Sequence, residues 1–219
     1  MNEFMNVLQR PDFIENLRLH IEYTVLATLL GIAVAIPVAI LVNRSDWGST
    51  VAINVGNIGR AVPSLAVLVL MFPLLGLGFD SALFALTLLA IPPILINGVV
   101  GLRQVSPQIL DSAKGMGLSG RQILQGIQVP IAAPIIFAGI RTSAVQVVAS
   151  ATLATFIGGG ALGDYIVEGF QRNSTAIALA GAFAVAALAI ITEVGFGFLE
   201  RAFTPKGLRI AQKRQRAGK

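Results

Sequence analysis

The chain has 219 residues, 55% of them hydrophobic and only 12% charged, with no cysteine. Soluble domains carry about 25% charged residues, so this composition excludes an ordinary water-covered globule and points to a bilayer as solvent. Missing cysteines exclude disulfides and thiolate metal sites, and the net charge of +5 is not gathered into a separate basic domain of the kind that binds nucleic acid.

In chain order, residues 1–20 come first. They mix Glu3, Arg10, Asp12, Glu15 and Arg18 without a continuous apolar core. They read as an external amphipathic arm rather than a cleaved signal. A spanning helix needs about 20 mostly apolar residues to cross roughly 30 Å of hydrocarbon, and backbone in lipid must bond internally. Uncharged runs at 23–43, 61–79, 81–102 and 173–192 satisfy this. A fifth, from 142 to the glycines at 158–160, spans only about 24 Å at helical rise, so it must start before Arg141. The expected class is all-α: a polytopic membrane protein with five transmembrane helices. The arm is followed by a transmembrane domain over 21–204 and a basic tail over 205–219, which reads as a cytoplasmic end able to touch anionic membrane lipid.

Lys and Arg set the expected orientation. With 43–50, 101–130 and the C-terminus on one side, eleven of them lie there, against Arg10, Arg18 and Arg172 on the other. Arg60 and Arg141 are left uncounted. The positive-inside rule then puts the N-terminus outside and the C-terminus in the cytoplasm.

The polar interval 101–130 has the chemistry of two short helices. Ser106–Pro107 suits an N-cap and first helical position. Ile109, Ala113 and Met116 fall on one face, Gly117 closes the first helix, and Ser119 with Gln122 reads as a capping box for the second. Pro130 marks the approach to the next span. A helix pair lying on the membrane without a partner would show the same local signals.

The spacing adds more. Asp111-Ser112-Ala113, then Gly117, then Ile127-Gln128-Val129-Pro130 resembles the loop of ATP-binding-cassette importer permeases. That loop reads Glu-Ala-Ala, three residues, Gly, nine residues, Ile-x-Leu-Pro. Asp111, Ser112 and Val129 are mild replacements; Ala113, Gly117, Ile127 and Pro130 agree. Strings at 59–66 (with Arg60, Pro63 and Ser64), 90–94, 138–142 (with Arg141) and 155–166 match in order. Together they look like the osmoprotectant branch, which handles glycine betaine, carnitine, choline and related quaternary amines. The resemblance covers roughly 20–205 and implies a type I importer permease with a cytoplasmic coupling helix in 101–130. It also implies cytoplasmic ATP-binding subunits, a second permease copy or homologue, and an extracytoplasmic substrate-binding protein, all at a bacterial-type cell membrane.

Other residues leave two readings each. Arg60, near the cytoplasmic boundary, and Arg141, two turns or more inside it, either snorkel to headgroups or border a water-filled path together with Pro63 and Ser64. A cationic substrate would there meet like charge. Pro63, Pro73, Pro92 and Pro93 are packing kinks or gating bends. Glu193 needs a basic residue or water as partner. The stripes Ala178, Ala182, Ala186 and Ala180, Ala184 pack within the chain or against a partner. His20 reads as solvated or headgroup-facing, and Trp47 as an anchor in a cytoplasmic loop. No aromatic cluster able to hold a quaternary amine is visible, which assigns such a cage to the binding protein.

The chain has no phosphate-binding loop with its lysine and no catalytic or metal-ligating set, so no cofactor is expected and ATP hydrolysis would belong to another chain. The alternatives are a permease of a related amino-acid-type importer, an ion-gradient-driven carrier, or a membrane anchor for a cytoplasmic enzyme.

Overall fold

Proline at a first helical position forfeits no hydrogen bond, and Pro11 opens the first long helix in this way. In the computed structural model, which describes residues 2–203, α2 (Pro11–Val42) is continuous for 32 residues despite Pro37. The basic tail expected over 205–219 lies outside the described residues. The expected arm divides in two. A short helix, α1 (Asn2–Leu8), packs on the last helix, while 11–20 form the opening turns of α2 itself.

His20 corrects the sequence reading. It has no exposed surface, and its Nε2 donates to the Val148 carbonyl at 2.9 Å. One turn on, the Tyr23 hydroxyl donates to the Gly159 carbonyl at 2.8 Å, and its ring stacks on Phe79 at 4.9 Å. An apolar helix carries these polar side chains because carbonyls of two other segments accept from Nε2 and the hydroxyl, while His20 Nδ1 stays buried without a partner among the described residues.

A turn at 43–45 leads to α3 (Asp46–Ala61), capped by the Ser45 hydroxyl, which accepts from the Gly48 amide at 3.2 Å. Trp47 is thus in a helix's first turn, not a loop, and is 77% exposed. The span expected over 61–79 is broken. Val62 precedes a proline and is driven to extended backbone (φ −71°, ψ 128°), as proline's ring demands of its predecessor. Pro63 follows at ψ 128°, and α4 (Ser64–Leu75) departs at 91° to α3. With 12 residues, α4 covers about 18 Å, well short of the hydrocarbon layer.

The centre of the fold is α5 (Phe79–Arg103), which touches α2, α3, α4 and the later helix α8 (Val129–Ala151). Around it lie two apolar clusters. One joins Tyr23, Ala27, Leu86, Val147 and Ile157; the other joins Ala39, Ile94, Val99, Leu102 and Ile140. Small residues allow this closeness. A methyl group on Gly139 of α8 would sit 2.5 Å from Asn97 Cβ and 2.9 Å from the Pro93 carbonyl oxygen. Pro92 and Pro93 are themselves buried in α5, and side chains bond carbonyls beside them: Ser143 Oγ donates to Ala90 O at 2.8 Å and Asn97 Nδ2 to Pro93 O at 2.9 Å.

Between α5 and α8 come α6 (Pro107–Gly115), α7 (Gly120–Ile123) and a π-helical turn (Leu124–Gln128). Beyond α8 a 3₁₀ turn (Thr152–Ile157) ends at Gly158, whose φ of 72° stops the helix as the glycine run implied. The sequence reading contained no counterpart of α9 (Gly163–Gln171); α10 (Thr175–Phe203) follows. Of the small-residue stripes, Ala180 and Ala184 pack inward beside Tyr165, and Ala178 lies against Gly169 of α9. Ala182 and Ala186 stay exposed. Four helical stretches among the described residues are long and apolar enough to cross a membrane: α2, α5, the rod from Gly120 to Ile157, and α10. Counted as one broken span, the bent α3–α4 pair brings the total to five.

Gly139→Ala tests the close α5–α8 contact. The added methyl overpacks a rigid interface at a cost of about 1–3 kcal/mol, and we expect a lower Tm for the detergent-solubilised chain. An unchanged Tm would mean that the helices have room to part.

Candidate functional site

The polar interval begins at a fastened corner. Arg103, in the last turn of α5, pairs with Asp46 and donates to Ser49 Oγ at 2.9 Å, tying α5 to the start of α3. Val105 is buried next to it. Then α6 starts as local chemistry directs: Pro107 sits at its first position and the Ser106 hydroxyl accepts from the Ile109 amide at 3.4 Å. It closes with a paired-carbonyl motif. The Leu118 amide reaches the Ala113 carbonyl at 3.2 Å and the Gly117 amide the Lys114 carbonyl at 2.9 Å, with Gly117 at φ 80°. Nothing lies within 4 Å of a side chain added at Gly117, so the requirement is conformational rather than spatial.

Ser119 and Gln122 form the reciprocal capping box, with the Ser119 amide donating to Gln122 Oε1 at 2.8 Å. From there α7, the π turn and α8 continue as one rod. Within the π turn the Val129 amide reaches back five residues to the Leu124 carbonyl. The widened turn sits immediately before Pro130, which has no N–H to offer the next carbonyl.

The seven motif residues therefore divide between two elements. Asp111 and Ser112 stand exposed on α6, Ala113 is 1% exposed beneath them, and Gly117 makes the left-handed corner. Ile127 is half-buried in the π turn, and Val129 and Pro130 form the first turn of α8, with Val129 packed on the inner apolar cluster. Asp111 pairs with Lys114 at 3.3 Å, an exposed contact of little energetic weight. The geometry suits a short surface helix whose outward face is polar and whose base is rooted in the bundle.

The path candidates fall apart in space by element. Arg60, Pro63 and Ser64 share the α3–α4 elbow, where Arg60 is exposed and forms no ion pair among the described residues. Arg141, near the middle of α8, is held by two carboxylates of α10: Glu193, and Glu200 at 3.4 Å. This names the basic partner that Glu193 needed. The two carboxylates also compensate the positive charge of Arg141. Glu200 was missed. The signal was present, since Glu193 and Glu200 stand seven residues apart, two turns along one face of a helix. An arginine within a span costs about 2.5–3.5 kcal/mol unpaired, which this pairing offsets.

At the other end, Arg10 donates to Glu168 at 2.8 Å and lies 5.9 Å above the Tyr165 ring, while Arg172 meets Glu168 at 3.1 Å. The Glu168 carboxylate raises the Arg10 pKa further, and burial pushes the Tyr165 phenol up. These contacts clamp α9 to the α1–α2 junction.

Residues 27–205 match the family described as binding-protein-dependent transport system inner membrane component. The chain is 39% identical over 211 residues to the glycine betaine/carnitine/choline transport system permease protein OpuCB of Bacillus subtilis (strain 168), covering 95% of this chain and 97% of that one. It is 41% identical over 194 residues to a carnitine transport permease protein of Listeria monocytogenes, covering 89% of each. A choline transport system permease protein of B. subtilis is 40% identical over 190 residues, covering 87% of this chain and 88% of that one. Among solved structures, an inward-facing form of the MetNI methionine ABC transporter matches with a TM-score of 0.77 at 19% identity, covering 88% of this chain and 96% of that one.

Two measurements bear on these geometries. Gly117→Ala forces an L side chain into left-handed backbone at about 1 kcal/mol. Hydrogen exchange at the Leu118 amide should therefore quicken about fivefold, and much less in Gly117→Asn; equal rates in both would refute the conformational requirement. For the α8–α10 pair, Arg141→Gln and Glu193→Gln should each lower Tm, and the double variant should lose less than the sum. Additive losses would show that the two groups are not coupled.

Proposed function

Because the chain belongs to the binding-protein-dependent transport system inner membrane components, we propose that it is the pore-forming permease subunit of an ATP-driven importer of osmoprotectants such as glycine betaine, carnitine or choline. The observation that carries the substrate class is identity near 40% along almost the whole length of relatives named for those compounds.

In this reading two permease copies, identical or homologous, enclose the path. Cytoplasmic ATP-binding subunits grip α6, with Asp111 and Ser112 on the docking face and Gly117 fixing its angle to the rod that follows. A substrate-binding protein delivers cargo from the outside. Closure of the ATPase pair draws the two docking helices together and turns the cavity outward; hydrolysis returns it inward. Ile127, Val129 and Pro130 join the docking helix to α8, so motion at the surface enters a span directly. Arg60, Pro63 and Ser64 at the elbow border the inner part of the path, and Arg141 holds α8 to α10 beside it. The distribution of Lys and Arg supports a cytoplasmic α6 and an external N-terminus.

Co-purification tests the docking face. Asp111→Arg with Ser112→Trp should reduce capture of the co-expressed ATP-binding subunit at least tenfold, about 1.4 kcal/mol, while leaving the permease's own Tm unchanged. In proteoliposomes with ATP on the ATPase side, the intact assembly should accumulate glycine betaine, carnitine or choline, and the double variant should not. Full capture by the variant, or uptake without ATP, would defeat the reading.

A further inference from the structure

Between the C-terminal end of α2 and the bundle-facing side of α6 lies a cavity of about 560 Å³. Ile40, Leu110 and Leu124 supply apolar wall, while Arg44, Lys114 and Arg121 come to its rim from three separate elements. Leu110 and Lys114 are four residues apart, so they share the face of α6 that carries buried Ala113. Ser112 points the other way by helical position. Asp111 is the one carboxylate engaged at the rim among the described residues, through its exposed 3.3 Å contact with Lys114. Such a contact is weak enough for a second anion to compete. Arg44 and Arg121 form no ion pair among the described residues.

With only Lys114 partnered among the described residues, the opening keeps a net positive charge that an entering anion balances. The level of the opening narrows the choice. Ile40 and Arg44 mark where α2 passes from apolar run to polar turn, which is headgroup depth for a spanning helix. A free phosphate would satisfy the basic rim and leave the apolar wall bare. A lipid phosphate satisfies the rim while its acyl portion covers the wall, and basic pockets beside spanning helices take anionic lipids by this logic. We propose that this cavity holds the phosphate of an anionic membrane lipid, seated beneath α6. The inference rests on the reading of α6 as a membrane-surface docking helix and adds a ligand on its hidden side. The lipid braces α6 against the bundle, so membrane charge acts on the element that the ATPase is proposed to grip.

Native mass spectrometry of the purified full-length chain, reloaded with phosphatidylglycerol or phosphatidylcholine, tests it. Each basic side chain near an anionic surface contributes about fivefold in partition. Wild type should retain phosphatidylglycerol over phosphatidylcholine, and R44Q/R121Q should lose roughly tenfold or more of that preference. R44K/R121K, which keeps both charges, and R172Q, at the opposite end, should retain it. Equal retention of the two lipids, an unaffected R44Q/R121Q variant, or loss in R44K/R121K would overturn the proposal. Displacement of the lipid by millimolar inorganic phosphate would also overturn it, assigning the rim to a free anion. No ATPase is present in this experiment. A chain that keeps phosphatidylglycerol yet captures no ATP-binding subunit would therefore defeat the docking proposal alone.

Discussion

Direct contact between small side chains and backbone around α5 is the interaction on which this architecture depends. Lipid is as apolar as leucine, so burying apolar surface between helices yields little, and cohesion must come from close fit. Four helices meet α5, and the approach is tight enough that a single methyl group at Gly139 would collide with Asn97 and Pro93. The exposed leucines, isoleucines and phenylalanines elsewhere on the molecule follow from the same fact. Outside the central contacts, lipid is a satisfactory neighbour, and large side chains have no reason to turn inward.

Several polar groups in this setting are matched to partners on other segments, although His20 Nδ1 and Thr28 Oγ1 are buried without one among the described residues. His20 has Val148, Tyr23 has Gly159, Ser143 has Ala90, and Arg141 has its carboxylates on α10. Each joins two segments distant in sequence, so polar bonds supply a specificity of pairing that apolar surfaces in lipid cannot. Arg141 is the most consequential. It fastens α8, the helix that follows the α6–α7 segment, to the last described helix of the fold.

Legibility followed the range of the forces involved. The segment from Ser106 to Gln122 was readable almost residue by residue, because caps, left-handed corners and capping boxes are decided by neighbours within four positions. Four of the five expected crossings were countable from their apolar length. The elbow at Pro63 was not. A hydropathy count registers how apolar a run is and ignores which way it points, so 61–79 read as one crossing with Pro63 as a kink or bend within it, although Val62–Pro63 held the signal for a full break. His20 was misread because its satisfaction comes from Val148, 128 residues away. Glu200 went unnoticed because its meaning depends on Arg141, on another helix. Short α9 was hidden among glycines that read as a turn.

The rod from Gly120 to Ile157 runs 38 residues without a break, about 57 Å at helical rise. A structure of that length works as a lever arm. Its first irregular stretch, the π turn at 124–128, lies close to the α6 end, and its second, the 3₁₀ turn, closes the far end. Tilting the rod by 5° about the π turn carries its far end, about 46 Å away, roughly 4 Å sideways. There sit the 3₁₀ turn and the glycines that meet Tyr23. A small displacement at the short end of such an arm corresponds to a larger one at its far end.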